Sequence, residues 1–341
     1  MHKEVFFDLC KLLVQDYGLK PMRTVTIGEQ LATFMMIVGV KEGNRQLQEI
    51  LQRSDYTISK SFHNVLRACM KMSIDWVRPF DNHTTTLSFI KGNPRYFPHL
   101  KDCIGAIDRT HIKASLPCEK QIPFIGRKGV PTQNIMVACD FSLCFIFVLP
   151  GWEGSVHDTR IFYSAIRDPS KHFPLPPKGK YYLVNAGYRN ISGFLAPYKG
   201  HKYHIPEFQR ASSYSNHFEA FNHVHSSLRG SIERSFGIWK KKFYTMNDIP
   251  VNIGWSDQVA LVSATMAIHN YIRKHDLEDE YFLFFENNSD SVSDDENNEG
   301  ANSRCVNRGD NKQSDDVMNK VRDDICAPIT FQRIGIPGLF Y

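Results

Sequence analysis

The sequence predicts an α/β fold, a sheet flanked by helices and preceded by a small all-α region. Three observations carry this. Up to about Pro79, apolar residues recur only at helical spacing. From Asp102, short apolar runs alternate with turn residues in the manner of strands. After Tyr181 the pattern passes to two long amphipathic stretches. A chain of 341 residues with 42% hydrophobic content is long enough for two or three domains with a sizeable core.

In the first region, "IGEQLATFMMIVGV" places Leu31, Phe34, Met35 and Val38 on one helix face. "NRQLQEILQR" follows with Leu47, Ile50 and Leu51. Ser54 to Thr57 then make a turn, and Thr57 is expected to cap a helix carrying Ile58, Phe62, Val65, Leu66 and Cys69 inward. Two short helices, a tight turn and a longer helix give a helix-turn-helix-like outline. The outer face of its last helix shows Ser59, Lys60, His63, Asn64 and Arg67, types that suit phosphates and base edges. A plain packing bundle has the same outline.

In the second region, "CIGAIDRTHIKASL" is apolar up to Ile107 and then meets Asp108. "QNIMVACD" and "LCFIFVLPGW" predict a hairpin around Phe141 and Ser142, and "VHDTRIFYSAI" a helix. "KYYLVNAGY" is another strand, ending at Asn185. "FEAFNHVHSSLRGSIERSFGIWKKKFYTM" is a long helix striped with Val224, Leu228, Ile232, Phe236, Trp239 and Phe243, with Glu233 at the stripe's edge beside Arg229 and Lys240. "DQVALVSATMAIHNYIRKH" is a further amphipathic helix expected to pack back on this core.

Charge divides the chain. Residues 286–316 hold nine acids and three bases, a balance of −6, so the overall +5 leaves +11 on the rest. A basic body suggests an anionic partner. The acidic stretch, 286–325, has too few apolar residues to pack and is expected to be disordered. "ICAPITFQRIGIPGLFY" turns apolar again, as a docking segment or an irregular end. No run of 18 apolar residues predicts a membrane helix, and "MHKEVFFDLCKLLVQDYGLK" lacks a secretory signal's apolar core. The eight scattered cysteines, with no CxxC, read as reduced thiols of an intracellular protein.

The blocks "CIGAIDRTHI", "RKGVPTQNIMVACD", "LPGWEGSVHDTRIF", "YYLVNAGYRNISGFLAPYKGHKYH" and "FNHVHSSLRGSIERSFGIWKKKF" occur in that order. Together they closely resemble the DDE superfamily-4 transposases of the PIF/Harbinger type and their domesticated derivatives, the harbinger transposase-derived nucleases and plant ALP-like proteins. The resemblance is dense from Asp102 to about Phe243 and weaker over the first helices. It implies an α/β, RNase H-like nuclease core, a mixed sheet flanked by helices, over 100–275, following a helical, helix-turn-helix-like region over 1–80. It also implies a nuclear protein that acts on DNA and hydrolyses phosphodiesters with a divalent cation, Mg²⁺ or Mn²⁺. In such sites carboxylates from two neighbouring strands and a helix converge on two metals about 3.5–4 Å apart. Hard, negative oxygen donors make adjacent dications tolerable.

Carried over residue by residue, the resemblance puts the catalytic and metal-binding positions at Asp108, Asn185 and Glu233. The family pattern has "VDAGY" where this chain has "VNAGY", and "AIDGTH" where Arg109 replaces the glycine. An amide oxygen binds one metal but is neutral and bridges two poorly. Hydrolysis is therefore expected to be impaired, and a catalytically inactive DNA-binding or chromatin-associated scaffold is the alternative. Arg109, next to Asp108 on a strand, is expected on the opposite face. Taken alone, Glu233 is an ion-pair partner for Arg229 one turn back, and Asp108 a strand-end turn residue.

Asp158 is expected to cap the helix that follows it rather than line the site. The histidines at 201, 204, 217, 223 and 225 lack the spacing of a zinc site. Arg127 and Lys128, and Lys240, Lys241 and Lys242, form basic patches flanked by aromatics and are expected to contact phosphate. The resemblance further implies a separate Myb/SANT-like or chromatin partner.

Overall fold

The computed structural model describes residues 1–40, 44–80, 84–126, 129–209, 214–250, 253–287 and 312–329. The first region is helical: α1 (Lys3–Gln15), α2 (Ile27–Val40), α3 (Asn44–Leu51), α4 (Asp55–Trp76) and α5 (Thr84–Lys91). The apolar stripe of α4 buries Ile58, Phe62, Val65, Leu66, Cys69 and Met72. Phe62 stacks on Phe34 of α2, ring centroids 5.4 Å apart. The cap of α4 lies three residues earlier than the sequence suggests. Ser54, not Thr57, is the N-cap, and its hydroxyl accepts from the Thr57 N–H.

The sheet is built from β1 (Cys103–Lys113), β2 (Thr132–Cys139), β3 (Phe145–Glu153), β4 (Tyr181–Leu183) and β5 (Phe194–Leu195), with α6 (Asp158–Arg167) between β3 and β4. Its order is β3-β2-β1-β4-β5. The first three strands form an antiparallel meander, and β4 and β5 run parallel to β1. The β2–β3 hairpin closes where Asp140 accepts from the Ser142 and Cys144 N–H groups. This mixed sheet between helical layers is consistent with the RNase H-like fold.

Alternation along the strands separates two cores. Ile104, Ile107, Tyr182 and Val184 face α6 with Phe162 and Phe194. Cys103, Ala106, Val137 and Leu183 face the other side with Leu228, Ile232 and Trp239. Those last three belong to α8 (His217–Lys242), which follows the short α7 (Ile205–Gln209). Gly105, beside the β1–β4 register shift, has no room for a side chain: a Cβ there would stand 2.3 Å from the Cys139 carbonyl oxygen.

α9 (Trp255–His275) packs against both β3 and α4, tying the helical region to the sheet. His63 of α4 meets Asp257 at 3.1 Å. α10 (Glu280–Asn287) buries Phe282. Of the stretch 286–325 expected to be disordered, 288–311 lie outside the described residues, and the expectation is corrected for the last part. Lys312–Cys326 is a helix, α11, packed on α8 and β5. Acidic composition hides a short apolar stripe in which Met318 and Cys326 are buried. The Tyr198 hydroxyl donates to Asp323 at 2.5 Å, and Arg322 lies over the Tyr198 ring. Among the described residues, no helix is long and apolar enough to cross a membrane.

Candidate functional site

Strand parity places the first two positions together. Ala106 pairs with Leu183 across the parallel β1–β4 ladder, and both face α8. Two residues further along each chain stand Asp108, in the middle of β1 rather than at a strand-end turn, and Asn185, two residues past the end of β4, on the same side. Asp108 is 8% exposed and Asn185 half-buried. Glu233 is presented from α8 on the facing layer. The three positions therefore share one sheet face.

A fourth residue joins two of them. Arg229 is buried, and its Nη1 donates to Asp108 Oδ2 at 2.6 Å. Its Nη2 donates to Glu233 Oε1. The Glu233–Arg229 pair expected from the i, i+4 spacing is thus present, and the same guanidinium reaches across to the strand. Its Nε donates to the Tyr203 hydroxyl at 2.8 Å. That hydroxyl stands 3.2 Å from His225 Nδ1, and His225 Nε2 lies 3.0 Å from the Leu195 carbonyl.

One proton arrangement satisfies every member of this chain. A carbonyl only accepts, so Nε2 carries the imidazole proton. Nδ1 then accepts from Tyr203, whose oxygen accepts from Arg229. Burial holds His225 neutral, pushing its pKa down to about 3, and raises the Tyr203 phenol to about 12. The Arg229 guanidinium, although burial opposes its charge, is held protonated by the anions around it.

Arg109 lies on the opposite strand face, as alternation predicts. Its Nε pairs with Asp158 at 2.6 Å, and its Nη1 meets His111 Nε2 at 2.9 Å. The expected role of Asp158 needs correction. His157 is the cap of α6, accepting from the Thr159 N–H, and Asp158 is the helix's first residue, turned to Arg109. Tyr188 is buried against Phe162, within electrostatic reach of Asp158, Asp108, Arg109 and Arg229, and burial pushes its phenol up strongly.

The other expected contacts divide. Lys60 and Arg67 are exposed on α4, Lys60 lying over the Tyr56 ring. Ser59 and His63 are half-buried and engaged, His63 with the Ser59 carbonyl and with Asp257. Lys242 does not form a surface patch. Its side chain is 6% exposed, ion-paired with Asp279 and set over Tyr281 and Phe282. Lys240 reaches the His111 carbonyl, and Lys241 lies over Phe284. Of these three lysines Lys241 is exposed, Lys240 half-buried and Lys242 held inward, so they do not form one outward row. Arg127 and Lys128 lie outside the described residues. Sequence reasoning did not single out Tyr203, and it weighed His225 only as a zinc ligand. The spacing of His225, Arg229 and Glu233, each four apart, was the available signal.

The converging donors are two carboxylates and one neutral amide, and both carboxylates are bound to one guanidinium. Among the described residues, no group of three His, Cys, Asp or Glu is placed to hold a metal ion. This donor set does not fit a pair of divalent cations.

Comparisons with known proteins agree with this architecture. Residues 107–270 match the model of the DDE superfamily endonucleases, and residues 1–71 match a domain of unknown function. The chain is 21% identical over 272 residues to "Protein ALP1-like" of Arabidopsis thaliana, covering 72% of this chain and 62% of that protein. It is 20% identical over 227 residues to "Putative nuclease HARBI1" of Rattus norvegicus, covering 66% and 61%. For the Homo sapiens protein of the same name the identity is 20% over 280 residues, covering 81% and 76%. The chain thus spans less than two thirds of the plant and rat relatives it matches. No solved structure matches it.

Proposed function

We propose, from the premise that residues 107–270 are a DDE superfamily endonuclease domain homologous to the ALP1-like and HARBI1 proteins, that this chain is a nuclear, transposase-derived protein that binds DNA and hydrolyses it poorly or not at all. The observation that carries the second half is Asn185. It stands beside Asp108 and opposite Glu233, in the position where the family pattern has its second aspartate, and it brings no charge. DDE superfamily endonucleases as a class use divalent metals, Mg²⁺ or Mn²⁺ in this reading. Two adjacent dications need anionic oxygens between them, and an amide supplies only a neutral one.

The first half rests on the body charge of +11 outside 286–316 and on the exposed Lys60 and Arg67 of α4. A Myb/SANT-like or chromatin protein is the partner proposed for targeting. The experiment is paired. Duplex DNA binding is followed by fluorescence anisotropy across a salt series, and supercoiled plasmid is incubated with the chain in Mg²⁺ and in Mn²⁺. Salt-dependent binding without linear product is expected. Linear product that disappears in Glu233→Gln would overturn the reading.

A further inference from the structure

We infer that Arg229 is a built-in counter-cation that excludes divalent metal from the Asp108–Glu233 wall, a block separate from Asn185. The inference rests on the reading of residue 185 given above. Two observations carry it. First, the guanidinium touches both carboxylates that a metal would need, donating to Asp108 Oδ2 at 2.6 Å and to Glu233 Oε1. Second, it is anchored from behind by groups that have no part in holding a cation. Its Nε donates to Tyr203, and Tyr203 is fixed in turn by His225 and the Leu195 carbonyl. A side chain merely drawn in by two carboxylates would not need that support. Arg229 is also buried, so its charge is screened little by solvent.

With Arg229 seated, Asp108 and Glu233 contribute one net negative charge together with it. Asn185→Asp would raise that to two, still short of the three that the family's carboxylates supply. Restoring the carboxylate alone leaves both older ligands hydrogen-bonded to a permanent cation. Metal entry then requires the guanidinium to leave a fully satisfied pocket.

The test uses the full chain and Mn²⁺ as probe, with free Mn²⁺ read by electron paramagnetic resonance and folding checked by circular dichroism. Wild type and Asn185→Asp are expected to leave millimolar Mn²⁺ free. The double variant Asn185→Asp/Arg229→Gln is expected to bind it about 10- to 100-fold more tightly than Asn185→Asp, the scale on which groups around metal ligands act. If the double variant does not fold, Asn185→Asp/Arg229→Met takes its place, since it removes the cation while keeping an unbranched stem in the pocket, and the same gain is expected. Tight Mn²⁺ binding by Asn185→Asp alone would overturn the inference while leaving the reading of residue 185 intact. So would a folded double variant that binds no better than Asn185→Asp. Tight binding by wild type would overturn both.

Discussion

Lowering the pH should destabilise this protein through His225, by an amount the structure fixes. The imidazole is buried between the Tyr203 hydroxyl and the Leu195 carbonyl, and burial holds its pKa down at about 3. In the unfolded chain it titrates near 6.5. A histidine whose folded pKa lies below its unfolded one binds fewer protons when folded. Stability therefore rises with pH between about 3 and 6.5 and is lost as pH falls through that window. Between pH 7 and pH 5 the linkage amounts to about 2 kcal/mol for this one residue. His269, buried against the Leu143 carbonyl and depressed to about 3 by the same cause, adds a similar amount. The assay is urea unfolding at both pH values for wild type and His225→Gln. The variant will be less stable at pH 7, because it breaks the chain that seats Arg229. The informative quantity is the pH dependence, which should be smaller by about 2 kcal/mol than in wild type. A variant with the full wild-type pH dependence would refute the neutral assignment of His225. The proton arrangement drawn from Leu195 to Arg229 would fall with it.

Three further outcomes are expected. Lys242→Met, which leaves buried Asp279 short of a partner, should cost about 3–5 kcal/mol in chemical denaturation, and duplex DNA affinity should not change. Lys60→Ala/Arg67→Ala should weaken DNA binding and lower the slope of log affinity against log salt by about two, one per phosphate contact, with the melting temperature preserved. Ser54→Ala should remove the cap of α4 at a cost of about 1 kcal/mol, whereas the stability loss in Thr57→Ala should be smaller.

Much of the fold was legible because its elements are long and strongly periodic. The meander, α6, α8 and α9 each bury a continuous stripe, and such stripes survive translation from sequence to structure. β5 was missed because a two-residue strand, Phe194–Leu195, has no period. α11 was missed because four aspartates mask Met318 and Cys326. The cap at Ser54 was misplaced by three residues because Ser, Asp and Thr in succession all suit an N-terminus.

The site was legible to a different degree. Parity along β1 and β4 sets Asp108 beside Asn185, and the edge of the α8 stripe sets Glu233 opposite, so the nearness of the three positions follows from the order and period of the elements. The state of the site was not legible, because it depends on a residue with two opposed roles. At i, i+4 from Glu233, Arg229 looks like an ordinary helix-surface ion pair worth a few tenths of a kcal/mol. Tertiary packing turns the same pair inward and adds Asp108 and Tyr203 as further partners. Spacing along one helix shows which groups can meet. It does not show whether they meet in water, where the pair is weak, or in the interior, where the cation decides what else the carboxylates can hold.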